Sequence, residues 1–483
     1  MIGAHDFVEA IGDPQRIEGQ LHRLGARARG ARLARLTQDG VRLRRLLEEP
    51  RRTSQLVARA LADGSFAPSA VTLRRAELGG KVRTLVALPP LDLVVHAVIA
   101  DELARRLEPR LSPNLFSYRR GRSSWTALRA VARSVSRHRR QHADPRERGL
   151  YVLRADVQDF TDSWPIDDGA PLWPELRALT GLPDDGPHWR MLRRLLVPEI
   201  VESGTLREFP NPPATDSARQ AELRPRDQVE PVGEGASVSS GPPALDLGVE
   251  RRGVLFGAPT TNVLANLYLA PLDEQMGAVP ALIYARFGDD IFCAHTDLEV
   301  LRAAGSSLES VLTARGLRLN QRKVRWLFWN GAGRRSAAAP QIDGAREVAF
   351  LGGAVSFGGG IALSPRKWSA LAGDLRARVR RTAALLRTST STESSASEAA
   401  LAQALVDVVN QSLSLQSPLA TDYAPLLADL VSDRRQLVQL DWLLALWIAE
   451  AVTRRTGVRA LRGLPCRRLR ALGLRSLVEA RNG

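Results

Sequence analysis

The chain has 483 residues, 44% of them hydrophobic, and a formal net charge of +16. That composition excludes a disordered or fibrous chain and leaves room for two or three domains with sizeable cores. The bases are almost all arginine, with lysine only at Lys81, Lys323 and Lys367. Such an excess of cations suits a polyanionic partner. The two cysteines, Cys293 and Cys466, have neither metal-ligand nor disulfide-scaffold spacing. The stretch MIGAHDFVEAIGD carries acids where a signal peptide needs an apolar run. The longest apolar run, Trp442–Ala449, falls short of the ~20 residues that cross a bilayer. The expectation is a cytoplasmic protein with no membrane partner.

Residues 1–70 read as helical, and their arginines either touch nucleic acid or form a solvated face. Val71–Pro90 reads as two strands around Gly79-Gly80. Lys81 and Arg83 alternate with Val82 and share a face, which either holds a triphosphate or meets solvent. Leu91–Leu107 is an amphipathic helix in which His96 reads as a packing or surface residue. Ser117–Trp125 (SYRRGRSSW) brackets Arg119, Arg120 and Arg122 with Tyr118 and Trp125, a pattern suited to base stacking and phosphate contact. A helix over Thr126–Ser136 follows.

Gly149–Trp164 (GLYVLRADVQDFTDSW) is an apolar strand ending in Asp156, with Asp159 and Asp162 beyond it. A carboxylate at the end of a buried strand is costly unless it is paired or used. Residues 172–202 read as helical. Residues 208–248 are rich in Pro, Ser, Gly and acids, and read as a flexible insertion. In GVLFGAPTTNVLANLYLAPLDEQM a Gly turn opens a helix from about Thr260 to Met276. Gly257 permits close backbone approach to a ligand, and Asn262 and Asn266 share a face.

In ALIYARFGDDIFCAHTD, Ala281–Asp297, two short β-prone runs flank Gly288-Asp289-Asp290 and read as a hairpin. Adjacent carboxylates at its tip repel each other and add nothing to packing. Hard cations such as Mg²⁺ want such oxygens and keep substrate phosphates as further ligands. Leu298–Gly316 reads as a helix, Leu317–Trp326 as a strand and turn carrying Asn320 and Lys323, and Glu347–Gly353 as ending in a tight turn. Beyond Ala362 the pattern is helical, interrupted by a Ser/Thr-rich linker, Thr388–Ser397. Arg454–Asn482 is basic again and either tracks a nucleic-acid backbone or forms a solvated helix face.

Taken in order, these pieces resemble bacterial reverse transcriptases related to group II intron and retron enzymes. The resemblance covers roughly Val71–Phe357 and rests on seven motifs in the right order. It implies an α+β right-hand polymerase. Residues 1–70 would be an N-terminal helical segment and 71–148 the fingers. The palm, an antiparallel sheet with helices, would span 149–357, and a helical thumb with a basic extension 358–483. DVQDFTDSW resembles the first catalytic motif, making Asp156 a metal ligand with the Val157 carbonyl, and Asp159, Phe160 and Thr161 part of the nucleotide site. FGDD resembles the Tyr-x-Asp-Asp box, making Asp289 the second ligand and Asp290 its supporting carboxylate. Lys81 and Arg83 resemble the triphosphate-binding bases, and Phe256 and Gly257 the motif along template and incoming base. Lys323 resembles the lysine near pyrophosphate. Tyr118, Arg119, Arg120, Arg122 and Asn266 would meet nucleic acid, as would the primer-grip residues Phe350, Leu351 and Gly352.

The resemblance implies two Mg²⁺ ions, with Mn²⁺ as a second candidate, about 3.5–4 Å apart and clamping the attacking and leaving oxygens. The implied partners are dNTPs, an RNA template or noncoding RNA, and a DNA product. The oligomeric state stays open. The layout is most similar to stand-alone bacterial enzymes, many of them tied to antiviral defence. Three positions depart from the pattern: Leu255-Phe256 stand for Pro-Gln, Phe287 for the Tyr of the box, and Thr161 where an aromatic blocks a 2′-hydroxyl. A polymerase that makes RNA or untemplated DNA, and a non-catalytic RNA-binding scaffold with a polymerase shell, are the alternatives.

Overall fold

The computed structural model describes residues 3–27, 43–78, 81–142, 149–201, 257–389, 395–414, 427 and 431–479. For residues 72–87 only the backbone is described. The insertion read over 208–248 lies outside the described residues, as does 390–394 of the linker. Among the described residues the strands are β1 (Val71–Leu78), β2 (Lys81–Ala87), β3 (Leu150–Asp156), β4 (Ile200–Val201), β5 (Ile283–Phe287), β6 (Asp290–His295), β7 (Arg325–Trp329), β8 (Asp343–Ala345), β9 (Glu347–Phe350), β10 (Gly353–Ser356) and β11 (Ile361–Leu363). With the helices around them they make an α+β fold.

The chain gathers into two units. The first holds Met1–Arg120, Asp156–Val279 and Ala304–Arg322. Its helices Ala4–Ile11, Pro14–Arg27, Pro50–Ala62 and Pro90–Leu107 pack on one another; the last, which reads as amphipathic, is buried around most of its surface, Asp92, His96, Glu102 and Arg106 included. Phe7, Ile11, Ile17, Leu21, Leu61, Ile99 and Leu103 are wholly buried there. β1 and β2 form an antiparallel hairpin, and β4 adds to β1 in parallel. The helical reading of 172–202 therefore ends early: the helices are Leu172–Thr180 and Pro187–Leu196, and Ile200-Val201 pair with Val71-Thr72. The helix Pro259–Tyr268 packs on Pro90–Leu107. A second helix, Ala270–Ala278, follows it after a break at Leu269. Pro271 explains the break, since it lacks an N–H to donate back along the helix.

The second unit holds Gly121–Ala155, Pro280–Ala303 and Lys323–Gly483. Its main sheet has the order β5-β6-β3-β7-β8, with β3 reaching the boundary at Asp156. β3 is central and buried along nearly its whole length, which is why its first four residues, Leu150–Leu153, are all apolar. The pairing is not wholly antiparallel, because β8 joins β7 in parallel. The intervening chain is long enough to cross over and return, which a parallel pair requires. A smaller sheet has the order β11-β10-β9. Phe292 lies between Trp329 and Phe350, and Trp329 also meets Phe357. The helix Ser124–Gln141 packs on β5 and β10. The helices Pro365–Ser389, Ser395–Ser412 and Arg434–Thr453 pack on one another, followed by the short basic helices Val458–Gly463 and Cys466–Ala471.

Candidate active site

Phe287 pairs with Asp290, so Gly288 and Asp289 are the whole loop between β5 and β6. Gly288 has φ 63, and Asp289 is not among the positive-φ residues. A positive φ at the first loop position alone is the type II′ pattern, which fits the right-handed twist of the strands and favours Gly there. Asp289 thus stands at the hairpin tip and Asp290 at the start of β6, both half-exposed. The face alternation puts Asp290 on the side of Phe292 and Arg286 on the other.

Arg286 is wholly buried, and its Nη1 donates to the Gly288 carbonyl at 3.0 Å. A guanidinium taken out of water must be used, and this one ties down the turn that carries Asp289. A charged residue inside the otherwise apolar run IYARF was the signal for it in the sequence. Beside it, burial pushes the Cys293 thiol up to about 12. That thiol stays protonated and is no nucleophile.

Asp156, the last residue of β3, is 6% exposed. Its carbonyl accepts from Asn320 N at 2.8 Å, and its Oδ1 lies 3.5 Å from Asn320 Nδ2. Gln158 N donates to the Arg318 carbonyl at 2.9 Å, and Val157 faces Leu319 in an antiparallel bridge. In such a non-hydrogen-bonded pair the two residues keep their own N–H and C=O pointed away from each other. The bridge therefore does not consume the Val157 carbonyl. Within the second unit, β6 is the neighbour of β3 in the sheet.

Among the described residues no three His, Cys, Asp or Glu side chains gather into a cage for an ion. Mg²⁺ does not need one, because it is held by one or two carboxylates together with substrate phosphates and water. Carboxylate and carbonyl oxygens are its preferred donors, so Asp156, Val157, Asp289 and Asp290 fit it by type.

Phe160 is buried in a short 3₁₀ turn, edge-on to Trp164, which in turn stacks on Tyr268. Thr161 beside it is half-exposed, and Asp159 is exposed with φ 42. Gly257 has φ 100, with open space where a Cβ would stand. Phe256 and the side chains of Lys81 and Arg83 lie outside the described residues. Lys323 is exposed in the turn before β7.

In the first unit, Asn266 is 2% exposed and locks onto Ser117. Its Nδ2 donates to the Ser117 carbonyl at 2.9 Å, and the Ser117 hydroxyl donates to its Oδ1 at 3.1 Å. Arg119 turns inward. It binds the Glu108 carboxylate, at 2.6 Å from Nη2, and the carbonyls of Ser112 and Leu115. Arg120 and Tyr118, 48% exposed, stand outward. Arg122 belongs to the second unit, where Ser123 caps the Ser124–Gln141 helix. Replacing Asn266 by Ala would leave the Ser117 hydroxyl and carbonyl unpaired inside the protein. A loss of about 1–3 kcal/mol in unfolding free energy is expected, read by urea titration.

Phe350 is buried, and Leu351 and Gly352 form the β9–β10 turn with φ of 49 and 77. The left-handed Leu351 is strained. Lys367 Nζ braces it by donating to the Leu351 carbonyl at 3.3 Å from 4.0 Å above the Trp125 ring. Burial lowers the Lys367 pKa.

His96 is 1% exposed, its Nδ1 lies 2.8 Å from Thr260 Oγ1, and its Nε2 is a buried atom without a partner. Burial lowers its pKa to about 4. The folded protein holds it neutral while the unfolded chain protonates it near 6.5. Its stabilising contribution is full above pH 6.5 and is lost as pH falls toward 4. The loss reaches about 3 kcal/mol, and His96→Phe should flatten that limb of a stability-versus-pH curve.

No family model and no curated protein matches the chain. Among solved structures it is similar to the telomerase of Candida albicans in complex with a TWJ fragment of telomeric RNA, at 10% identity over 89% of this chain and 68% of that one, with a TM-score of 0.39. It is also similar to the apo telomerase of Candida tropicalis, at 10% identity over 96% and 86% of the two chains, with a TM-score of 0.42. At those values the likenesses carry no weight.

Proposed function

We propose that the chain is an Mg²⁺-dependent nucleotidyltransferase that copies RNA into DNA. The observation that supports this best is the carboxylate set itself: a nearly buried Asp156 at the end of β3, and Asp289 and Asp290 at a two-residue hairpin tip. When bound, the ions would lower the barrier to in-line attack of a 3′-hydroxyl on the α-phosphate. The protein's share is to hold oxygens still. Asn320 fixes the Asp156 carboxylate, and Arg286 fixes the Asp289 turn. Gly257, open above its backbone, leaves a strand or base room to lie close. Lys323 and the β2 bases Lys81 and Arg83 would neutralise phosphates.

The test is incorporation of labelled dNTPs by the purified chain, with and without an RNA template and with and without Mg²⁺. Template-dependent DNA synthesis is expected. Untemplated product, or product from rNTPs alone, would move the reading to the alternatives. Salt-sensitive RNA binding with no incorporation would leave a scaffold.

The buried Phe160 and small Thr161 also predict weak exclusion of ribonucleotides. Thr161→Tyr is expected to raise the dNTP-over-rNTP ratio of kcat/KM by about tenfold or more. A role in antiviral defence is proposed on the resemblance to stand-alone bacterial enzymes alone.

A further inference from the structure

The helical C-terminal part of the second unit contains a cleft of about 240 Å³. It lies between the Pro365–Ser389 helix and the end of the Arg434–Thr453 helix. Arg376, Arg380 and Arg387 reach it from one face of the first helix. Arg454 and Arg455 reach it from the end of the second, where Arg454 has φ 56 and turns the chain back. One carboxylate, Glu450, faces these five arginines. It is shared between Arg376, at 3.5 Å, and Gly457 N, at 2.8 Å. Arg387 donates to the Ala451 carbonyl. The carbonyl end of the helix offsets some of the charge. Among the described residues no carboxylate pairs with Arg380, Arg454 or Arg455, all of them exposed.

Like charges drawn to one hollow repel each other unless an anion joins them. Guanidinium forks match phosphate oxygens two at a time. The floor of the cleft, with Ala383 and Trp447, is apolar and offers a surface for a sugar or base. We propose that this cleft binds one phosphate ester of a nucleotide, at a site separate from that of nucleotide joining. Its size suits a single nucleotide unit, either a free nucleotide or the end of a strand. The inference stands whether or not the chain polymerises.

The experiment is fluorescence anisotropy of a labelled, 5′-phosphorylated hexaribonucleotide on the full chain. The double variant Arg380→Ala/Arg454→Ala is expected to bind about tenfold more weakly, as loss of charge-assisted hydrogen bonds implies. Glu450→Gln keeps an acceptor for Gly457 N but removes the opposing charge, and is expected to tighten binding several-fold. Arg467→Ala, exposed on the Cys466–Ala471 helix, controls for overall charge and should change little. Competition by AMP against the wild-type chain, lost in the double variant, would assign the cleft to a free nucleotide. Competition by the unlabelled phosphorylated oligonucleotide, but not by its 5′-hydroxyl form or by AMP, would assign it to a strand end. An unchanged double variant, an equal drop in Arg467→Ala, or weaker binding by Glu450→Gln would overturn the proposal.

Discussion

Asp289→Ala is expected to lower dNTP incorporation by about a thousandfold or more while leaving the protein folded. Asp289 is the second residue of a two-residue loop, half-exposed, and needs no left-handed φ. Alanine needs no left-handed backbone there, so the fold should survive the substitution. The chemical cost is large because an ion ligand acts on charge that develops in the transition state. Asp156→Asn should match it in rate. Chelation of the divalent ion should give the same loss in the unaltered chain and add nothing to the Asp289→Ala variant. Incorporation above a tenth of the unaltered rate in Asp289→Ala would remove the site.

What the sequence made legible was local. The hairpin at Gly288 follows from alternation around a Gly-Asp turn, and the β9–β10 turn from FLGG. Pairings at long range were not legible. β4 reads as the tail of a helix because nothing in Ile200-Val201 names Val71-Thr72 as its partner. The same limit holds at the site. Asn266 reads as a nucleic-acid contact, and its partner in the fold, Ser117, is 149 residues away and uses both ends of the amide. Arg119 reads like Arg120 in the sequence and differs only once Glu108 is seen beside it. Asn320 was visible as a motif. Its hold on Asp156, 164 residues away, was not. Residue type tells what a side chain is able to do, and only the fold tells which neighbour has already engaged it.

Glu102→Ala is the substitution expected to cost most in stability. Glu102 lies in the Pro90–Leu107 helix with no side-chain exposure, and Arg106 beside it is 1% exposed. The carboxylate accepts from Arg105 at 2.6 Å, Arg106 at 2.7 Å and Arg16 at 3.0 Å. Arg106 also lies 5.2 Å over the Phe7 ring, so this network fastens the first two helices to the Pro90–Leu107 helix. Removing the acid would strand a buried guanidinium, and breaking a buried pair in this way costs about 3–5 kcal/mol. Burial pushes the Glu102 carboxyl up, but the hydrogen bonds from Arg105, Arg106 and Arg16 outweigh it and hold it below the usual range. A depressed folded pKa stabilises above the unfolded value and loses that contribution as pH falls through the folded one. Acid should therefore loosen this part of the protein, and Glu102→Gln should remove that dependence along with part of the stability. Thermal scans of the three proteins from pH 7 to pH 3 measure both. Equal midpoints at pH 7 would show that the network does not bind the helices together.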